Sequence, residues 1–388
     1  MNQHNRKRNW LSSVICLVLI SVLLLLPTGF ESAGAGRLKS EERVAARIVS
    51  TDDSTIKDTG LVRSGEQSCE VLLLGGSHKG ETHRAGNLLS GSLEQDKVFQ
   101  SGETALVLVS LDDDSVASVS LIDHYRISGE IFLLLAFFAL LILFAGWSGL
   151  RAVLSFILSV LSIWKVLVPL CLKGANPILV GSLLTAALTV LIIALVFGFN
   201  RITLAACTGA ISGLIVTAAL GVLSTSAFHI HGAVMSYSES LLYSGYEHLN
   251  LTQIFMASIF IGASGAMMDL SVDIAAAVNE VVTKRPDLSR VEAMMSGMRV
   301  GRAAMGTMTT TLLLAYSGSY IALLMVFMAQ GTPMINVFNY KYVASEIIHT
   351  LVGSFGLVAA APLTAAASGL LLAKGGAAAP SPQINPEP

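Results

Sequence analysis

Ile131-Phe-Leu-Leu-Leu-Ala-Phe-Phe-Ala-Leu-Leu-Ile-Leu-Phe144 contains no polar side chain. Such a run finds a home only in a protein core or a bilayer, and it is not alone. From Glu130 onward the chain offers seven apolar segments, at about 131–148, 151–170, 177–198, 202–223, 251–275, 303–328 and 346–372. Each is near the roughly twenty residues that carry a helix across a hydrocarbon core of ~30 Å. A further segment, Trp10 to Pro27, lies at the amino end. The expected fold class is an all-α polytopic membrane bundle of about eight transmembrane helices, with a small β-rich extracytoplasmic domain after the first helix.

Composition agrees. The 388 residues are 53% hydrophobic and 13% charged, against roughly 25% charged in an ordinary soluble domain. A net charge of -2 gives no broad basic field, so no nucleic-acid partner is expected. The lipid bilayer is the partner that the apolar surface demands. Charge also orients the helices. Arg6, Lys7 and Arg8 hold the amino terminus in the cytoplasm, and with eight crossings the inner segments carry eleven basic residues, including Arg151, Arg201, the five from Lys284 to Arg302, and Lys374. The short outer loops carry two, Lys173 and Lys341. That bias predicts both termini inside and residues 31–128 outside. Ala33-Gly34-Ala35 has the small residues of a signal-peptidase site, so residues 1–30 read as an anchor or as a cleaved signal; either exports the 31–128 segment.

Between 31 and 128 charges return and glycines recur. The runs Ser68 to Leu74, Thr104 to Leu111 and Val116 to Ile127 are β-rich and separated by turn signals, so this segment reads as an OB-like or other small barrel. Gly75 to Gly80 suits a hairpin connection, and Asp112-Asp113-Asp114 suits another. The acidic triplet lacks the glycine and distal glutamate of a calcium loop. His78 and His83 lack a third metal ligand at fitting spacing, and Cys69 reads as a small buried residue. The membrane domain covers 129–374. Residues 375–388, rich in Gly, Ala and Pro, read as a disordered tail.

Soluble-enzyme chemistry finds little support, for the chain has no GxxxxGK[ST], HExxH or GxSxG motif, and no cofactor is expected. Glu346-Ile-Ile-His349 has the Glu-x-x-His spacing of carboxylate di-iron bundles but has no second copy. His229 and His231 stand near an outer helix end. Gly209-xxx-Gly213 and Gly297-xxx-Gly301 let helix backbones approach, most simply within one bundle.

The informative polar stretch is Gly262-Ala-Ser-Gly-Ala-Met-Met-Asp269-Leu-Ser-Val-Asp273-Ile-Ala-Ala-Ala-Val-Asn279-Glu280. On a helix, Asp269 and Asp273 share a face one turn apart, and Glu280 continues the stripe. Acids inside a span face a cavity, an ion path or a paired base; the equal alternative is that Asp269 already lies near the cytoplasmic interface, the apolar run before it being short, and pairs with Arg299 or Arg302. A cluster at Thr307, Thr309, Thr310 and Thr311, together with Glu346, completes the candidate polar site.

Residues 251–372 resemble the core of the YibE/F-like family of bacterial multi-pass membrane proteins, and the resemblance extends through the earlier helices and the exported domain, over most of the chain after Trp10. The matching pieces are Gly265-Ala-Met-Met-Asp269, Gly301-Arg302-Ala-Ala-Met-Gly306-Thr-Met-Thr-Thr-Thr-Leu-Leu-Leu-Ala-Tyr316 and Glu346-Ile-Ile-His-Thr-Leu-Val-Gly353-Ser-Phe-Gly356-Leu-Val-Ala-Ala-Ala-Pro362-Leu-Thr364. Ala303 and Thr310 depart from the family pattern, which has an acid and an Asn there. The resemblance implies a multi-pass protein of the bacterial cell (inner) membrane and brings no established activity with it. The function expected from the intramembrane acids is ion- or proton-coupled transport of a small solute; the alternative is a non-transporting scaffold whose exported domain binds an envelope partner.

Overall fold

The computed structural model describes residues 3–30, 41–112 and 115–373. Ala33 to Ala35, Asp113, Asp114, Lys374 and the tail lie outside them. The chain divides into two compact units, one of residues 27–146 and one of residues 1–26 and 147–388.

The first unit holds a six-stranded sheet of β1 (Glu41–Asp52), β2 (Lys57–Asp58), β3 (Arg63–Leu73), β4 (Thr82–Ser90), β5 (Thr104–Asp112) and β6 (Ser115–His124). Side chains alternate inward and outward, most plainly in β5, where Ala105, Val107 and Val109 are buried. The inward set, with Ile48, Val71, Leu73, Phe99 and Val119, forms one core. The strand order is β1-β5-β6-β4-β3-β2, and β1 also pairs with β3. Because β1 hydrogen-bonds on both sides, the five long strands close into a barrel with no free edge. The parallel β4–β6 pairing among antiparallel neighbours is the strand scheme of an OB-type barrel. A bulge between Ile48 and Ser50 lets β1 turn from one partner to the other.

Inside the barrel the Gln67 side-chain amide takes the place of a strand neighbour for Phe99. It donates to the Phe99 carbonyl at 2.9 Å and accepts from the Phe99 amide at 3.0 Å. Cys69 is buried and free as expected, and burial, with Asp53 near it, pushes its thiol up to about 11. The loop 74–81 joins β3 and β4 where the glycines predicted it. The expected third run is shorter than the sequence suggests. It ends at His124, because the Tyr125 amide makes the last bond to the Thr104 carbonyl and Ile127 opens α2.

The helices are α1 (Gln3–Leu25) and α2 (Ile127–Ala145), the latter within the first unit; then α3 (Trp147–Leu172), α4 (Pro177–Phe197), α5 (Arg201–Ala227), α6 (Ser238–Tyr243), α7 (Leu251–Lys284), α8 (Arg290–Ser317), α9 (Ile321–Ala329), α10 (Met334–Asn339) and α11 (Lys341–Leu372). Six helices, α2 to α5, α7 and α11, are long and apolar enough to cross a membrane; α8 and α9, bent by 67°, make a seventh if they count as one span, all among the described residues. The apolar part of α1, Ser12–Leu25, is shorter. Local chemistry sets the starts. Asn176, Asn200 and Asn250 accept from first-turn amides of α4, α5 and α7, and Ser289 with Glu292 forms a capping box on α8. That box starts α8 well before residue 303, where its apolar stretch begins. Arg151 of α3 donates to the Leu195 carbonyl at 2.8 Å and the Val196 carbonyl at 3.0 Å, capping α4 from the other end.

The centre of the helical unit is a seam of small residues. Gly209 of α5 meets Thr364 of α11, Gly213 meets Ala360 and Gly356, and Thr217 meets Gly356. Gly297 of α8 packs on Val278 and Ala365, and Gly301 on Ala361 and Ile274. Both small-residue spacings thus serve packing inside one chain. Met267, Leu270, Ile274 and Val278 fill the space between α7, α8 and α11.

Candidate functional site

α7 buries one face and leaves another open, and the open face is polar. Gly262, Gly265, Asp269, Asp273 and Glu280 are all exposed at three-, four- and seven-residue steps that keep them on one stripe. Asp269 and Asp273 stand one turn apart as their spacing predicts. Among the described residues no ion pair joins either to Arg299 or Arg302, although Gly301 against Ile274 and Gly297 against Val278 place both arginines at the height of Asp273 on the antiparallel α8. Glu280 is engaged elsewhere, pairing with Lys284 at 2.8 Å one turn on. The threonine hydroxyls are spent on their own helix. Thr307, Thr309, Thr310 and Thr311 donate to carbonyls three or four residues back, at 2.9–3.2 Å, which is how a hydroxyl is satisfied away from water.

Position along α7 separates these residues. At 1.5 Å per residue from Leu251, Gly262 lies about 16 Å along the axis, Asp269 about 27 Å and Asp273 about 33 Å; a ~30 Å hydrocarbon core beginning at Leu251 would end near Ser271.

Beside Gly262 the structure assembles a second polar group. His349 of α11 stacks on Tyr316 of α8, ring centroids 4.4 Å apart and planes at 30°, and Phe255 of α7 meets its edge at 6.3 Å. Glu346, one turn before His349, takes a hydrogen bond from the Tyr320 hydroxyl. The remaining capacity is unused. Glu346 Oε1 and His349 Nε2 are buried with no hydrogen-bond partner, a costly arrangement in an apolar setting. Gly262 makes room for it, since a methyl there would lie 2.5 Å from the Tyr316 hydroxyl oxygen and 3.1 Å from His349 Nε2. Farther along the stripe, a methyl at Gly265 would meet nothing within 4 Å, and the same holds for Gly306 of α8. Between the Glu346–His349 group and Asp269 the α7 face is therefore open at Gly265.

Of this group the sequence singles out Glu346 and shows His349 only in the di-iron spacing; Tyr316, Tyr320 and Gly262 are added by the structure. Tyr316 closes the threonine-rich motif and His349 comes one turn after Glu346, so the signal was present in two separate helices. Among the described residues no three His, Cys, Asp or Glu come together as a metal site. His231 is taken up locally, its Nδ1 accepting from the Ala233 amide at 3.2 Å.

An apolar helical unit of this length, built on glycine contacts and holding buried ionisable groups, defines a polytopic membrane protein. Residues 133–374 match the family described as YibE/F-like protein, and the chain belongs to that family. The match covers α2 from residue 133 to α11 and leaves the barrel outside it, so the family likeness is narrower than the expected extent, which took in the exported domain. No curated protein and no solved structure matches the chain.

Proposed function

We propose that the helical unit is a proton-coupled transporter of a small solute, with the Glu346–His349–Tyr316 group as its mid-membrane exchange site and Asp269 and Asp273 at one mouth. The observation that carries this is the pair of buried, unpartnered atoms, Glu346 Oε1 and His349 Nε2, beside a helix face cleared by Gly262 and Gly265. A carboxylate and an imidazole in one pocket exchange a proton with whatever reaches them; a purely structural core would have closed on them.

In this reading α1 and the α8–α9 pair bring the crossings to eight, both termini are cytoplasmic in the inner membrane, and the barrel is outside. The basic-residue bias supports this orientation, and it places Asp269 and Asp273 at the cytoplasmic mouth. A cysteine replacing Ser289 is then shielded from an impermeant reagent added to intact cells, and one replacing Thr332 is labelled; the opposite pattern reverses the orientation. For transport itself, Glu346→Gln, Asp269→Asn and Asp273→Asn remove titration and keep shape. Each is expected to abolish the cellular phenotype of the intact gene at normal abundance and melting temperature. Retained phenotype in all three ends the transport reading and leaves the scaffold, in which the barrel is the working part.

A further inference from the structure

The barrel has two unlike ends. At one, loop 74–81 is polar, carrying Gly75, Gly76, Ser77, His78, Lys79 and Glu81. Ser77 is tied to Glu42 there, and His78 and His83 both bond Glu81, at 3.1 and 2.9 Å. At the other end lie the connections 53–62 and 91–103, because β1 and β4 finish and β3 and β5 begin there. This second end presents leucines to solvent: Leu61 is 77% exposed, Leu93 74%, and Leu88, near the end of β4, 77%. Leu61 and Leu93 line the same crevice between the two connections, a cavity of about 330 Å³.

Chain direction says what faces these leucines. β6 runs parallel to β4, so it also finishes at the leucine end, and from His124 only Tyr125 and Arg126 precede α2. The joint is held: the Tyr125 amide bonds the Thr104 carbonyl at 2.9 Å and Arg126 pairs with Asp123 at 2.8 Å. None of the residues of α2 is buried, and its uninterrupted apolar run starts at Ile131. Tyr125, Arg126 in the helical region and one turn of α2 put the barrel end within about 13 Å of the apolar run. Two acids of the leucine end are engaged locally: Asp96 accepts from the amides of Ser90, Gly91 and Ser92, and Asp58 pairs with Arg63 at 2.9 Å. Asp52, Asp53 and Glu94 are exposed, so charge surrounds the two leucines.

We infer that the leucine end of the barrel rests on the bilayer and that Leu61 and Leu93 enter its interfacial layer, where apolar side chains leave water without needing a protein partner. This contact belongs to the barrel and holds whichever function the helical unit has.

The test uses the full chain in lipid nanodiscs, with an environment-sensitive fluorescent amino acid at position 61, 93 or, as the polar-end control, 79. Two quenchers are compared, a spin label on the upper acyl chain and aqueous iodide. Lipid-borne quenching severalfold stronger at 61 and 93 than at 79, with weaker iodide quenching, is expected. Equal lipid-borne quenching at the three positions overturns the inference. Protection of 61 and 93 from both quenchers also overturns it, since protein would then be the cover.

Discussion

Gln67→Leu keeps nearly the same volume at the centre of the barrel and removes both arms of the amide. The Phe99 amide and carbonyl, held at 3.0 and 2.9 Å by Gln67, are then buried without partners. Asp53, which accepts from Gln67 at 2.8 Å, turns to water, and Asn87 keeps its bond to the Lys97 carbonyl at 2.6 Å. Two stranded backbone groups at about 1–3 kcal/mol each, set against the easier burial of Leu, leave a net loss of about 3 kcal/mol. Since 1.4 kcal/mol is a factor of ten, amides that exchange only when the barrel opens should exchange on the order of a hundred times faster. Hydrogen exchange with mass spectrometry on the detergent-solubilised full chain measures this in β1, β3 and β5. Acceleration of only about threefold, under 1 kcal/mol, would show that the amide does not act as the missing strand neighbour.

Gly213→Leu should collapse the helical unit rather than weaken it, because even the first carbon of the side chain would stand 2.8 Å from the Ala360 methyl and 3.0 Å from the Gly356 carbonyl oxygen. A loss of several kcal/mol is expected, read as a large drop in detergent melting temperature; an unchanged melting temperature refutes the seam. Acid should loosen the barrel. Hydrogen bonds from Ser77 hold Glu42, those from His78 and His83 hold Glu81, backbone amides hold Asp96, and Arg126 holds Asp123, each below its ordinary carboxylate range. A lowered folded pKa means stability that is full above the unfolded value and lost as pH falls through the folded one. Faster barrel exchange is therefore expected below about pH 4, less so in Glu81→Gln, and a flat profile down to pH 3 contradicts it.

The spans were legible because a bilayer demands length and apolarity, both of which are one-dimensional. The start of α8 was hidden, since Ala293, Gly297 and Gly301 carry its packing with small residues that no hydropathy window registers. Closure of the barrel was also beyond the sequence, for it depends on β1 pairing with two strands about 20 and 60 residues away, and alternation along one strand names no partner. The Glu346–His349 group was half visible. Its acid could be seen, but Tyr316 comes from another helix, and the contribution of Gly262 is the absence of a side chain.

Contact between α5 and α11 has a consequence for motion. With Thr364 lodged against Gly209 and Thr217 against Gly356, a slide of one residue would drive side chains into backbone, so the two helices are locked as one stator. α8 is held differently: its buried residues are Ala293, Gly297, Gly301 and Leu312, and beyond Gly301 it rests on the core through one half-buried stripe, Ala304, Met305, Met308 and Tyr316, without interlocked glycines. It leads through the turn Gly318–Tyr320 into α9, and it carries Tyr316, whose ring covers His349. If the proposed transport holds, a change of access to His349 would have to come from α8 moving over a fixed α5–α11 frame, with the glycine contacts at 297 and 301 as the bearing.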